Sequence, residues 1–383
     1  MQDIIAPVDI NLIKAELTEE RKLRDTNKGG NVLYVVNAFN APNTMREIGR
    51  LREEAFRASG ACSGLDCDID EFDTMEEPYQ QLLVWDPEAE AILGGYRYIL
   101  GPDVKMDANG QPHLATAHMF HFSEKFITEY LPHTVELGRS FVSLNYQSSK
   151  AGAKALFSMD NLWDGLGAIM MAHSQIMYFF GKMTIHPSYD PLARDMIYHF
   201  LYKHFPDSEG LVTAYNPQKF EVDRRIFDVI LTEDSFKDDY KVLKAAVMKL
   251  GTFIPPLVNS YMNTSPTMLM LGHAVNDEFG DASESAILVC FNDMYDDKRA
   301  RHVDSYRRWM AAQYHKRFPN LLPGFEDKLK TRWDEHKDKP RKRFLERLRR
   351  SEKKSSAAAE EALSAETKEP GSVNEPRCAE KEK

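Results

Sequence analysis

Apolar positions recur along this chain at two periods, and the switches between them mark its elements. Residues 1–30 are mostly polar and predict a helical arm. NVLYVV, from Asn31, is β-rich and predicts a short strand. Asn40 and Pro42 open a helix through MREIGRLREEAFRAS, because Asn caps a first turn and Pro is tolerated in one. Ile48, Leu51, Ala55 and Phe56 recur there at helical spacing, and Gly60 and Gly64 end the helix. QLLVWD and AILGGYRYIL flank a turn at Asp86-Pro87 and predict a β-hairpin. SEKFITEYL reads as a short helix. HTVELGRSFVSL then predicts a strand with Val135, Leu137 and Phe141 on one face.

A glycine-containing loop, NYQSSKAGAKAL, leads into a helix expected to start near Ser158 and run to Phe180. KMTI follows as a short strand and PLARDMIYHFLYKHF as a helix. Further on, a helix is expected over 238–250, strands at TMLMLGHAV and SAILVCF, and a last helix near 297–314. No internal repeat is visible. This order predicts an α/β or α+β fold with a mixed sheet.

With 383 residues, 43% of them hydrophobic, the chain can bury one large core or two modest ones. Its 49 Lys and Arg stand against 59 Asp and Glu, a net charge of −10, which argues against a generic nucleic-acid binder. The charge is uneven. Residues 331–354 carry a net +6 and residues 355–383 a net −3, leaving −13 on the rest. The expected division is therefore a helical arm over 1–30 and a folded domain over 31–330, elaborated from about 205. A basic helical segment over 331–354 and a disordered tail over 355–383 follow. Cys62, Cys67, Cys290 and Cys378 are too scattered for a disulfide scaffold and suit a reducing compartment. The first residues show no signal-peptide pattern and no apolar run is long enough for a bilayer, so a cytoplasmic protein is expected. The 341–350 segment is a candidate for peripheral contact with the inner face of an anionic membrane.

Four groups of residues carry candidate chemistry. Arg52 and Phe56 sit one turn apart on the first long helix. Asp66, Asp68, Asp70, Glu71 and Asp73 form an acidic cluster that lacks the glycine and glutamate of a calcium loop. It reads either as a solvated loop or as a site for a cationic group such as a substrate ammonium. Glu136, Gly138 and Arg139 lie inside a strand, where charges are costly unless paired or used. In a regular strand Glu136 and Arg139 face opposite sides; a bulge at Gly138 re-aims one of them. Glu136 is then a candidate general base, with a structural ion pair as the alternative. Finally, Ser148, Ser149, Lys150 and Gly152 precede the long helix, whose N-terminus suits a phosphate. His118 and His121 lack a third ligand, so no metal is expected.

Taken in order, RLREEAF, DCDIDEFD, GGYRYI and VELGRSFV resemble the acyl-carrier-protein-dependent branch of the GNAT acyltransferases. That branch includes the ornithine lipid and glycine lipid N-acyltransferases, often labelled hemolysin-like. The chain is more distantly similar to acyl-homoserine-lactone synthases, but it is longer and lacks their Trp after the first helix. NLWDGLGAIM, with Trp163 and Gly165, fits the lipid branch. The resemblance implies a GNAT-like mixed central sheet flanked by helices. It implies transfer of a 3-hydroxy fatty acyl group from acyl carrier protein to the amine of glycine or ornithine, the first step toward an amino-acid-containing membrane lipid. Catalysis is expected from Glu136 and Arg139, and substrate binding from Arg52, Phe56, Asp68, Asp70, Asp73 and Arg97. Phe141, Val142, Ser143, Ser149, Lys150 and Gly152 are expected to hold the phosphopantetheine or the oxyanion. Lys150 stands where CoA-using relatives carry a glycine, which favours the carrier protein's single phosphate. Lys150, Lys154 and the 341–350 segment are candidates for docking that acidic protein. No tightly bound cofactor is implied; the thioester is a co-substrate. The competing readings are an autoinducer-type synthase using S-adenosylmethionine and a non-catalytic lipid-binding protein.

Overall fold

The computed structural model describes residues 1–147 and 152–317. The stretch before residue 31 carries helix α1 (Ile10–Glu16) and then strand β1 (Lys22–Asp25), which pairs with β2 (Val32–Val36) as an edge strand. Helix α2 spans Pro42–Ser59 and stops at Gly60, whose φ of 93° fits the left-handed cap a glycine adopts freely. A single turn, α3 (Glu71–Thr74), interrupts the acidic loop. The expected hairpin is β3 (Gln80–Asp86) and β4 (Ala91–Leu100). After a short strand, β5 (Phe120–Phe122), comes β6 (Thr134–Val142).

Helix α4 (Gly152–Ala172) ends earlier than expected, and YFF, residues 178–180, belongs instead to strand β7 (Tyr178–Ile185). Its first half is buried on both faces and shows no alternation, so it reads as a continuation of the apolar helix. Helix α5 (Pro191–His204), strand β8 (Val212–Ala214), α6 (Arg225–Ile230), α7 (Phe236–Lys249) and α8 (Pro256–Met262) follow. Strands β9 (Leu269–Asn276) and β10 (Ala282–Cys290) precede α9 (Asp296–His302) and α10 (Asp304–Arg317), two helices where one was expected. The expected tail and basic segment lie outside the described residues. Among those residues no helix is long and apolar enough to cross a membrane.

Among the described residues, eight strands form one sheet in the order β1-β2-β3-β4-β6-β7-β10-β9, and β5 pairs with β8 separately. Every pairing in the large sheet is antiparallel except β6 with β7. Parallel neighbours need a long crossover, and α4 supplies it. One face buries Leu82, Val84 and Val135 against Leu162 and Leu166 of α4 and Ile197 of α5. The other buries Leu83, Trp85 and Ile92 against Met45 and Ile48 of α2. Gly165 is where α4 touches the sheet: a Cβ there meets Leu82 Cδ2 at 2.7 Å.

The start of α2 is capped differently from expectation. Its cap residue is Ala41, which makes no side-chain cap, and Asn40 bonds back to Asn37. The Glu16 carboxylate instead accepts the N–H groups of Asn43 (3.0 Å) and Thr44 (2.7 Å) and the Thr44 hydroxyl (2.7 Å). Burial pushes the Glu16 carboxyl up, but these donors outweigh it and hold it below its ordinary value. A depressed carboxyl stabilises the fold above its unfolded pKa and loses that contribution as pH falls through the folded one. Glu16→Ala is therefore expected to cost about 1–2 kcal/mol in urea unfolding at neutral pH. The gap to the wild type should close below the usual carboxylate range.

Candidate active site

Strand β6 contains the bulge that Gly138 suggested, but the irregular residue is Arg139, with φ 46°. Gly138 opposes Arg97 and Phe141 opposes Gly95, so three steps on β6 match two on β4. This extra residue has two consequences. Glu136 and Arg139 line one cavity instead of facing opposite sides. Phe141 turns away from Val135 and Leu137 and packs in the core under α2, which corrects the expectation of one shared face.

The cavity has a volume of about 350 Å3. Glu136 is buried beside it. Its Oε1 accepts from the Thr116 hydroxyl at 2.7 Å and its Oε2 from the Tyr79 hydroxyl, which in turn accepts the Ala115 N–H at 2.9 Å. Burial raises the Glu136 carboxyl above the usual range, opposed by the two hydroxyls, Arg97 and Lys182. Burial and the Glu136 charge push the Tyr79 phenol well above its ordinary value, so it stays a donor.

The acidic cluster is folded onto arginines. Arg52, fully buried on α2, donates to Asp73 at 3.0 Å and to the Gln81 side-chain oxygen. Arg97 donates to Asp70 at 2.6 Å and reaches Asp73 at 3.4 Å. It also lies over the rings of Tyr79 and Phe72. Arg139 pairs with Asp68 at 3.2 Å and Asp70 at 3.4 Å, over the Phe279 ring. Arg97 and Arg139, expected in substrate binding and catalysis, are thus both paired with these acids. Burial pushes Asp68 up, against Arg139 and Arg52. Burial acts the same way on Asp73, but Arg52 and Arg97 outweigh it and hold that carboxyl low. His118 lines the cavity near Asn276, whereas His121 packs on Tyr215 elsewhere, so HxxH is not one site.

Strands β6 and β7 pair from Thr134↔Tyr178 to Leu137↔Gly181 and then part. Between them lies a second cavity of about 70 Å3, lined by Phe56, Tyr96, Thr184, Tyr261 and Phe279. Tyr96 and Tyr261 belong to the α4 side of the sheet and Phe279 to the other, so the gap runs through the sheet. Phe56 meets Phe279 edge-on at 5.3 Å. Trp163 of α4 backs Tyr261 at 5.8 Å.

Ser143 is not available as an oxyanion donor. Its N–H goes to Leu93 O at 2.9 Å and its hydroxyl to Ile92 O at 2.7 Å. By strand alternation the Val142 N–H points the opposite way, toward the gap, and its carbonyl accepts from Gln147. Gly152 is the first residue of α4; Ser149 and Lys150 lie outside the described residues. Sequence reasoning missed Tyr79, Thr116, Gln81, Lys182 and Glu284. Gln81, Lys182 and Glu284 carried a readable signal, a polar group in a buried strand; Thr116 carried none.

A mixed sheet whose single parallel pair opens beside a buried carboxylate defines a GNAT-type acyltransferase. The family model described as acetyltransferase (GNAT) domain matches residues 51–156. The chain is 58% identical over 306 residues to the glycine N(alpha)-acyltransferase of Bacteroides thetaiotaomicron, covering 80% of this chain and 91% of the relative. It is 56% identical to the protein of that name from Phocaeicola vulgatus, covering 80% and 94%. The solved structure of FeeM, an N-acyl amino acid synthase from uncultured soil microbes, aligns at 13% identity and a TM-score of 0.30, covering 74% of this chain and 98% of that one. The chain belongs to the family of the two curated relatives, the GNAT N-acyltransferases of amino acids.

Proposed function

We propose that this protein transfers a fatty acyl group, 3-hydroxylated in the reading from sequence, from acyl carrier protein to the α-amine of glycine. The product opens a route to an amino-acid-containing membrane lipid. The observation that carries the reading is the parting of β6 from β7 beside Glu136. The phosphopantetheine arm threads the gap along the free edge of β6, and the Val142 N–H polarises the thioester carbonyl. Glu136 accepts a proton from the attacking amine. The C–N bond forms, the C–S bond breaks, and the sulfur takes up a proton to leave as free thiol. Tyr79 and Thr116 fix the carboxylate, and the arginines and acids of the loop set the shape of the acceptor side. The glycine acceptor is supported by two relatives more than half identical to this chain, both named glycine N(alpha)-acyltransferase. The carrier-protein donor is supported by Lys150, where CoA-using relatives place a glycine.

Thiol release from a 3-hydroxyacyl carrier protein tests this, with glycine, ornithine, serine and S-adenosylmethionine offered separately. Turnover with glycine and the carrier protein is expected. Turnover only with S-adenosylmethionine moves the protein to the autoinducer type. Equal turnover with acyl-CoA removes the carrier protein as the specific donor.

A further inference from the structure

We propose that Lys182 of β7 is the binding site for the acceptor's carboxylate, so that a free α-amino acid bridges Glu136 and Lys182. The proposal rests on the amino-acid acceptor reading above. Lys182 lines both the larger cavity and the gap between the strands. In the β6–β7 register Glu136 sits opposite Phe180, so Lys182 is two residues further along the neighbouring strand and on the same face. One strand spacing and one pleat separate their backbones, about 8 Å, a span that the two side chains and a small amino acid fill.

The other cations of the cavity are committed. Arg97 serves Asp70 and Asp73, and Arg139 serves Asp68 and Asp70. Lys182 pairs, among the described residues, with Glu284 alone. An ammonium has three donors, so donors remain for a second carboxylate. Glu284 is itself buried on β10 and holds Thr184 at 3.2 Å, which fixes the lysine head. Burial holds the Lys182 pKa below its ordinary value, and Glu284 opposes that fall.

The test compares glycine with glycinamide, which keeps the amine and lacks the carboxylate. The wild type is expected to prefer glycine. In Lys182→Met the KM for glycine should rise about 10- to 100-fold, the range of one charge-assisted pair, while the KM for glycinamide and for the acyl donor stays put. Lys182→Met alone leaves Glu284 buried without its partner. The same comparison is therefore made in Lys182→Met with Glu284→Gln, which removes both charges together. Lys182→Arg should keep the preference for glycine. Equal losses on glycine and glycinamide, or an unchanged KM for glycine, overturn the site. A wild type that turns over S-adenosylmethionine and no amino acid overturns the acceptor reading, and this site with it.

Discussion

Glu136→Gln should lower kcat by about 10²- to 10⁴-fold, the range general-base catalysis supplies, with little change in donor KM. The substitution keeps the shape and the oxygen that Thr116 or Tyr79 donates to, so the fold should stand. What it removes is the acceptor for the amine's proton. Burial has raised the Glu136 carboxyl, and the sign of the pH effect follows. The base works only when deprotonated, so wild-type kcat/KM should fall as pH drops through a value above the ordinary carboxylate range. The variant should lose that acid limb. Tyr79→Phe should shift the same limb, because the phenol is one of the donors that oppose the rise. A variant with wild-type kcat, or a limb that survives Glu136→Gln, places the base elsewhere.

The sequence made α2 legible through its single apolar face. The β3–β4 hairpin is buried on both faces, and it was legible through its β-rich runs and the turn at Asp86-Pro87 between them. The start of β7 was lost because Tyr178 to Gly181 is buried on both faces and carries no period. The charged residues in β6 were legible as a problem, since a buried charge demands a partner. Their partners were not. Glu136 draws its donors from 57 and 20 residues away, and Arg139 meets an acid 71 residues before it. Such distances are set by the sheet order, which local pattern does not encode. The bulge itself was legible through Gly138, yet the strained backbone fell on the next residue. Lys182 could have been found by the argument that picked out Glu136. It is a charge in an aromatic strand, but it directly follows an apolar run that reads as the end of a helix.

The largest stability loss is expected at Asp73. This carboxylate closes a ring with Arg52 and Gln81: Arg52 donates to Asp73 and to the Gln81 oxygen, while the Gln81 nitrogen donates to Asp73 at 2.8 Å. Arg97 reaches the same carboxylate from β4, and the Asp70 N–H at 3.3 Å ties it to the acidic loop. Both Arg52 and Asp73 are fully buried, so neither charge has water to fall back on. Asp73→Ala strands Arg52 in that interior and should cost about 3–5 kcal/mol, the penalty for breaking a buried pair from one side. Removing both ends behaves differently. Arg52→Met combined with Asp73→Leu takes the charges out together, and its loss should be smaller than the sum of the two single losses. The pH dependence carries a separate signature. Arg52 and Arg97 hold the Asp73 carboxyl below its ordinary value, so its contribution is present above the unfolded pKa and lost as pH falls through the folded one. Urea unfolding should therefore show the wild type losing stability on acidification more steeply than Asp73→Ala. Parallel curves, or additive losses in the double variant, would mean that the ring stabilises the loop by packing rather than by charge.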